Sequence, residues 1–125
     1  MDRQQFWQGF SIERWESAKD EARQIMIARA RRGRTIAYSD LASEIKSISL
    51  QARDLRLFYL LGEISTEEDA LGRGMLTVVV VHKSGDMAPG PGFFELAKEL
   101  GRNTADKDVC WTEELRYVFE HWKQG

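Results

Sequence analysis

The chain has 125 residues, 42% hydrophobic and 30% charged, a balance that suits a globular protein with a single core and is too short for two. No apolar run approaches the roughly 20 residues needed to cross a bilayer, and the charged start MDRQQ lacks a signal-peptide core. The one cysteine, Cys110, excludes an internal disulfide and a cysteine-rich zinc site, so a single domain over 1–125 in a reducing, cytoplasmic setting is expected, with no membrane contact. The formal net charge of −2 is unevenly spread. Residues 1–62 hold 11 Lys+Arg against 8 Asp+Glu, whereas residues 63–125 hold 7 against 12. A basic first half permits a nucleic-acid or acidic-partner face, while the overall balance argues against a non-specific DNA coat.

Phe6 and Phe10 lie four residues apart, which predicts one helical turn docked on the core. Left exposed, Phe6, Trp7 and Phe10 would instead mark a contact surface. A helix over about 11–32 follows. Ile12, Trp15, Ala18, Ala22, Ile25 and Met26 share one arc, with Glu13, Glu16, Ser17, Asp20 and Gln24 opposite. Ser11 is its expected N-cap and Gly33 its stop. Arg29, Arg31, Arg32 and Arg34 cluster at its end. Cations are favoured there by the helix dipole, yet four arginines exceed what capping needs. Thr35–Tyr38 reads as a short strand, and Ser39 as the N-cap of a short helix through Ile45 with Asp40 in its first turn. After a turn over 47–51, a helix from Arg53 to Gly62 turns Leu57, Leu60 and Leu61 inward, with Arg53 and Arg56 on another side. Ser65-Thr66-Glu67-Glu68 is a capping box that predicts a further short helix through Leu71, ended by Gly72 and Gly74.

Met75–Val81 is the one strong strand, and its unbroken apolar run predicts burial on both faces. A turn at 82–86 precedes Pro89-Gly90-Pro91-Gly92, expected to form a rigid, wing-like loop without regular structure. Phe93, Leu96, Ala97 and Leu100 predict a helix stopped by Gly101. After a polar loop, Thr112 caps a last helix to about 123, with the stripe Leu115, Val118, Phe119 and Trp122. The expected fold is α+β and α-rich: a winged-helix-like core over about 11–92, one strong buried strand, and additional C-terminal helices at about 93–101 and 112–123.

Within residues 33–101 several segments carry a resemblance. Gly33-Arg34-Thr35-Ile36-Ala37-Tyr38-Ser39-Asp40-Leu41-Ala42 is similar to a "G-x-T-x-S-Y-G-E-L-A" motif, and Gln51-Ala52-Arg53 to an "A-A-R" motif. Val81-His82-Lys83 stands where that pattern has "C-H-R", and Lys98 with Leu100 resembles its "K-x-x-L-L" helix. The motifs are those of the winged-helix DNA-binding domain of alkylguanine-DNA alkyltransferases and alkyltransferase-like proteins. The resemblance implies that Arg53 enters a DNA stack. It also implies that alkyl transfer is absent, because Val81 replaces the reactive cysteine. Two departures stand out: bulky Leu57, Phe58, Tyr59, Leu60 and Leu61 where the family has small residues, and an extra stretch from Glu63 to Gly74. The Tyr38–Ala42 and Gly92–Gly101 segments also resemble small bacterial proteins that lend no function.

The candidate site is an arginine patch: Arg31, Arg32, Arg34, Arg53 and Arg56, with Tyr38 adding a hydroxyl or stacking face and Lys83 a further phosphate contact. Guanidinium forks match phosphate oxygens, whereas solvation and pairing with Asp40, Asp54 or Glu44 are the bland alternative. His82 with Lys83 and Asp86 could act as a general-base cluster, but no nucleophile accompanies them, and a strand-end histidine making one hydrogen bond suffices. The Pro-Gly loop lacks the lysine and hydroxyl of a phosphate cradle. Asp86, Glu95 and Lys98 only faintly follow a metal-nuclease order, and Cys110 reads as a small buried hydrophobe. The pattern predicts a non-enzymatic DNA- or RNA-binding protein without cofactor or metal. The alternative is an accessory or immunity-type subunit, binding a protein partner or a second copy through the acidic second half or the N-terminal aromatics. A hydrolase built on His82 and Asp86 is a third reading.

Overall fold

A computed structural model describes residues 6–83 and 88–123, and for Phe6 and Trp7 the backbone alone. The N-terminal aromatics do not form a helical turn. β1 (Phe6–Trp7) and β2 (Phe10–Ser11) pair antiparallel across Gln8 and Gly9, both at positive φ (55° and 82°). That geometry matches the twist of a two-residue hairpin and explains the glycine. Phe10 then stacks on Trp15 with ring centroids 6.2 Å apart.

Ser11 closes the hairpin and opens α1 (Ile12–Arg31), its hydroxyl accepting the Arg14 N–H at 3.2 Å. The far end closes as expected at Gly33, with φ 64°. The Gly33 and Arg34 N–H groups bond back to the Ala30 and Arg29 carbonyls, satisfying the terminal acceptors. Trp15, Ala18, Ala22, Met26 and Ala30 form the buried face.

β3 (Ile36–Ala37) leads directly into α2 (Tyr38–Glu44). The helix starts two residues earlier than Ser39 capping requires: Ala37 holds the N-cap position and Ser39 lies exposed in the first turn. Burial of Tyr38 sets that start. The expected pair of helices over 53–71 is a single one, α3 (Leu55–Ala70), capped by Asp54, whose carboxylate accepts the Arg56 N–H at 2.9 Å. Gly62 stays inside it. The supposed capping box faces the core instead: the Ser65 and Thr77 hydroxyls lie 2.6 Å apart, and Glu68 is 1% exposed between arginines.

The Met75–Val81 strand is also shorter than expected. Leu76–Val79 form a 3-10 turn and only β4 (Val80–Val81) is extended, pairing parallel with β3 in the register Ile36↔Val80 and Ala37↔Val81. The segment is buried throughout, as the apolar run predicts, but such a run has no periodicity to separate strand from helical turn. α1, α3 and α5 all pack against it. α4 (Pro91–Glu99) takes Pro91 as its first residue, so Pro91 and Gly92 belong to a helix rather than to a loop. α5 (Lys107–Trp122) begins well before Thr112, because Asp106 caps it through the Val109 N–H at 3.1 Å. Thr112 instead donates to the Asp108 carbonyl inside the helix.

Among the described residues, five α-helices and two short strand pairs give an α-rich α+β architecture. No helix there is long and apolar enough to cross a membrane. Ion pairs fasten the helices together. Lys19 of α1 meets Glu16, Glu63 and Glu67 at 2.8–3.1 Å, and Arg23 pairs with Glu67 and Glu68. Arg102 holds Glu114 of α5 through two bonds of 2.9 Å and reaches Asp69 of α3 at 2.7 Å.

Gly74 sits where this frame is tightest. At φ 85°, an added Cβ would lie 2.8 Å from a Tyr117 ring carbon and 3.1 Å from a Glu114 carboxylate oxygen. Gly74→Ala is expected to cost about 2 kcal/mol or more, through both the backbone conformation and the clash. Urea unfolding should show a lower midpoint at unchanged slope.

Candidate functional site

The parallel register of β3 and β4 brings the ends of both strands side by side. Tyr38 follows one end and His82 the other, with ring centroids 5.1 Å apart at 45°. Phe58 of α3 adds a third ring, 6.0 Å from Tyr38 and inclined at 60°. The backbone loops back to close the site: the His82 N–H donates to the Ala88 carbonyl at 3.0 Å, and the Gly90 N–H donates to the Tyr38 hydroxyl at 3.0 Å. A Cβ on Gly90 would lie 3.3 Å from His82 Nε2, so glycine lets the chain pass this close to the imidazole.

These elements enclose a cleft of about 400 Å³ walled by Tyr38, Phe58 and His82, with Arg53 and Lys83 at its lip. Its inner wall is aromatic and its mouth cationic. Tyr38 is buried, and burial pushes its phenol above the usual range, partly opposed by the Gly90 N–H pointing at its oxygen. Arg53 is exposed and has no ion-pair partner among the described residues. Lys83 lies 3.6 Å from Asp40, both well solvated, a contact of little energetic weight.

Arg53 also lines a neighbouring hollow of about 310 Å³ with Asp54 and Arg56. Arg56 is held there by Asp54 through bonds of 2.7–3.1 Å and stacks over Phe10 at 4.7 Å. This fork holds the Asp54 carboxyl below its ordinary range and offsets the Arg56 charge.

No family model matches the chain. Neither curated proteins nor solved structures show a significant match to it. The chemistry of the site therefore rests on its own residues.

Tyr38, Arg53 and Lys83 share the cleft, and Arg56 adjoins it. Arg31, Arg32 and Arg34 do not line it. They stand exposed around the turn that ends α1, before β3, while the cleft lies beyond the other end of that strand. Arg31 turns toward α5, its guanidinium 5.8 Å from the Trp122 ring, and Arg29 pairs with Glu44 at 3.5 Å. The Tyr38 hydroxyl accepts a backbone hydrogen bond, so its ring is the part offered to the cleft.

Phe58, which lines the cleft, and Gly90, which closes against His82, were not singled out as site residues by pattern reading. Their only signal was bulk at 57–61 and a glycine between prolines. Asp86 lies outside the described residues, and so does the polar cluster it would complete with His82 and Lys83. Glu95 and Lys98 are exposed on α4, and no group of three His, Cys, Asp or Glu among the described residues could hold a metal.

Because the folded chain holds the Tyr38 proton more tightly than the unfolded chain, this residue's contribution to stability is complete below the usual 10.0 and is lost as pH rises through the raised folded value. An ultraviolet titration should therefore show a late tyrosinate step that coincides with loss of stability and is absent in Tyr38→Phe.

Proposed function

We propose that the chain binds nucleic acid, with Arg53 and Lys83 contacting phosphates at the mouth of the aromatic cleft and Arg31, Arg32 and Arg34 forming a second phosphate-contacting group. The observation that carries this reading is a set of exposed arginines, Arg31, Arg32, Arg34 and Arg53, with no ion-pair partner among the described residues. One of them stands at the mouth of a cleft lined by three rings. A guanidinium gains most from a phosphate when no carboxylate already occupies its donors. Aromatic faces beside such a cation suit an unstacked base in single-stranded or locally opened nucleic acid.

The order α1, β3, α2, α3, β4 supports a winged-helix-like arrangement. In this reading α2 and α3 take the helix-turn-helix positions, with Arg56 in the first turn of α3 and Arg53 just before its N-cap, beside the part of a recognition helix that meets bases. The segment a wing would occupy includes residues 84–87, outside the described ones. The resemblance to alkyltransferase-like proteins points the same way, with Arg53 at the position of the intercalating arginine. Val81 at the reactive-cysteine position favours binding over alkyl transfer. A lone cysteine suits a cytoplasmic setting for this role.

If the four unpaired arginines each neutralise one phosphate, log K should fall against log salt with a slope of about −3.6. Arg53→Ala is expected to weaken binding to all sequences and to shrink that slope by about 0.9. Arg56→Ala should do less, because Asp54 already offsets its charge. Titration of labelled duplex and single-stranded oligonucleotides at several salt concentrations measures both. Absence of salt-sensitive association with DNA and RNA at low ionic strength removes the reading.

A further inference from the structure

α3 and α4 lie side by side and leave an apolar groove that shares Phe58, and at its smaller end Tyr38, with the cationic cleft. It consists of two adjoining hollows of about 400 and about 240 Å³ that share Phe58, Tyr59, Gly62 and Leu96. Gly62 keeps the α3 wall low: no atom lies within 4 Å of the place its Cβ would occupy. Tyr59 stands over the groove and is 53% exposed, although it sits beside the buried Leu57, Leu60 and Leu61 of the same helix.

The rim carries carboxylates on both sides, and those of α4 are the uncompensated ones. Glu63 and Glu67 on the α3 side are already engaged by Lys19 and, for Glu67, by Arg23. Glu95 and Glu99 on α4, one turn apart, are exposed and have no ion pair among the described residues. No lysine or arginine lines either hollow.

We infer that this groove is a docking site for a basic amphipathic helix of a partner protein. The charge pattern selects the occupant. Carboxylates along an apolar floor repel a phosphate backbone or an anionic lipid surface and attract lysines or arginines flanking apolar anchors. The shape selects the conformation. From Phe58 to Glu67 the groove runs about 14 Å along α3, enough for two to three turns of a helix whose apolar side chains recur at i, i+4 and i+7. No strand borders it, so addition of an extended segment to a sheet edge is not the mode. Tyr59 is the anchor contact, and Glu95 with Glu99 fix the direction in which the basic face lies.

The test uses the full chain and a synthetic helix-forming peptide of about four turns, with leucine and tryptophan on one stripe and lysine elsewhere. Calorimetry should show saturable one-to-one binding, with amide shifts at Gly62, Thr66 and Leu96. Tyr59→Ala and the pair Glu95→Lys/Glu99→Lys should each weaken it about tenfold or more. Glu95→Gln/Glu99→Gln should act in the same direction at smaller size, and Arg53→Ala should leave it unchanged. These positions are exposed, and circular dichroism with thermal melts checks that the variants fold. The inference is overturned if the peptide does not bind. It fails equally if a scrambled peptide of the same composition binds as well, or if Tyr59→Ala has no effect. A concentration-dependent dimer abolished by Tyr59→Ala would make the occupant a second copy and overturn the heterologous partner.

Discussion

Three helices close around Met75–Val81, and a buried segment of that kind is possible only if its backbone polar groups find partners away from water. Sheet pairing reaches just two of its residues. Much of the remainder is met locally or by side chains brought in from the surrounding helices. The Met75 N–H bonds Glu114 at 2.8 Å, the Thr77 N–H bonds the Ser65 hydroxyl at 3.2 Å, and the Val78 N–H returns to the Met75 carbonyl. The Val78 carbonyl accepts the Trp111 indole N–H at 3.3 Å. Polar residues inside α3 and α5 are therefore part of the core's design. They fix the depth and rotation of each helix relative to the apolar axis, which dispersion forces alone would leave loosely specified.

The aromatic cleft depends on that arrangement. Two ladder positions between β3 and β4 are a short anchor, and Tyr38 and His82 keep their spacing because the strands that lead into them are pinned by the packed segment behind. Tyr38 links site and core directly, with its ring against Phe58 and His82 and its oxygen bound to the chain entering α4. The cations differ. Arg53 and Lys83 occupy the lip with little holding them, whereas Arg56 is tied down by Asp54 and Phe10. A guanidinium without a carboxylate partner keeps its donors available to an incoming anion, whereas Arg56 would first have to give up Asp54.

Periodicity made the long helices legible. The Ile12–Met26 arc and the Ser11 and Gly33 caps of α1 are where the pattern puts them, and so is the stripe of α5. Errors gathered where local signals competed with tertiary ones. Ser65 and Glu68 have the spacing of a helix start, yet both are used by the neighbouring segment, so α3 runs through. Five large apolar residues, Leu76 and Val78 to Val81 with only Thr77 between them, look like one strand, but burial on all sides permits a 3-10 turn equally well. Ser39 and Thr112 are good caps in isolation and lost to Tyr38 burial and to Asp106. For the site, residue types were readable and their grouping was not. Placing Arg53 and Lys83 together, and Arg31 toward Trp122 instead, needs the strand register and the hand of the crossover, neither of which leaves a trace in spacing.

Cys110 illustrates what such tight packing entails. Its thiol is 4% exposed, and burial together with the nearby Glu114 carboxylate pushes its ionisation upward. Thiolate, the form that reacts with alkylating reagents and oxidants, is thus both scarce and shielded in the folded chain. The single sulfur is a native stopwatch for opening: labelling speed reports how often α5 lifts away from the segment beneath it, with no engineered probe required.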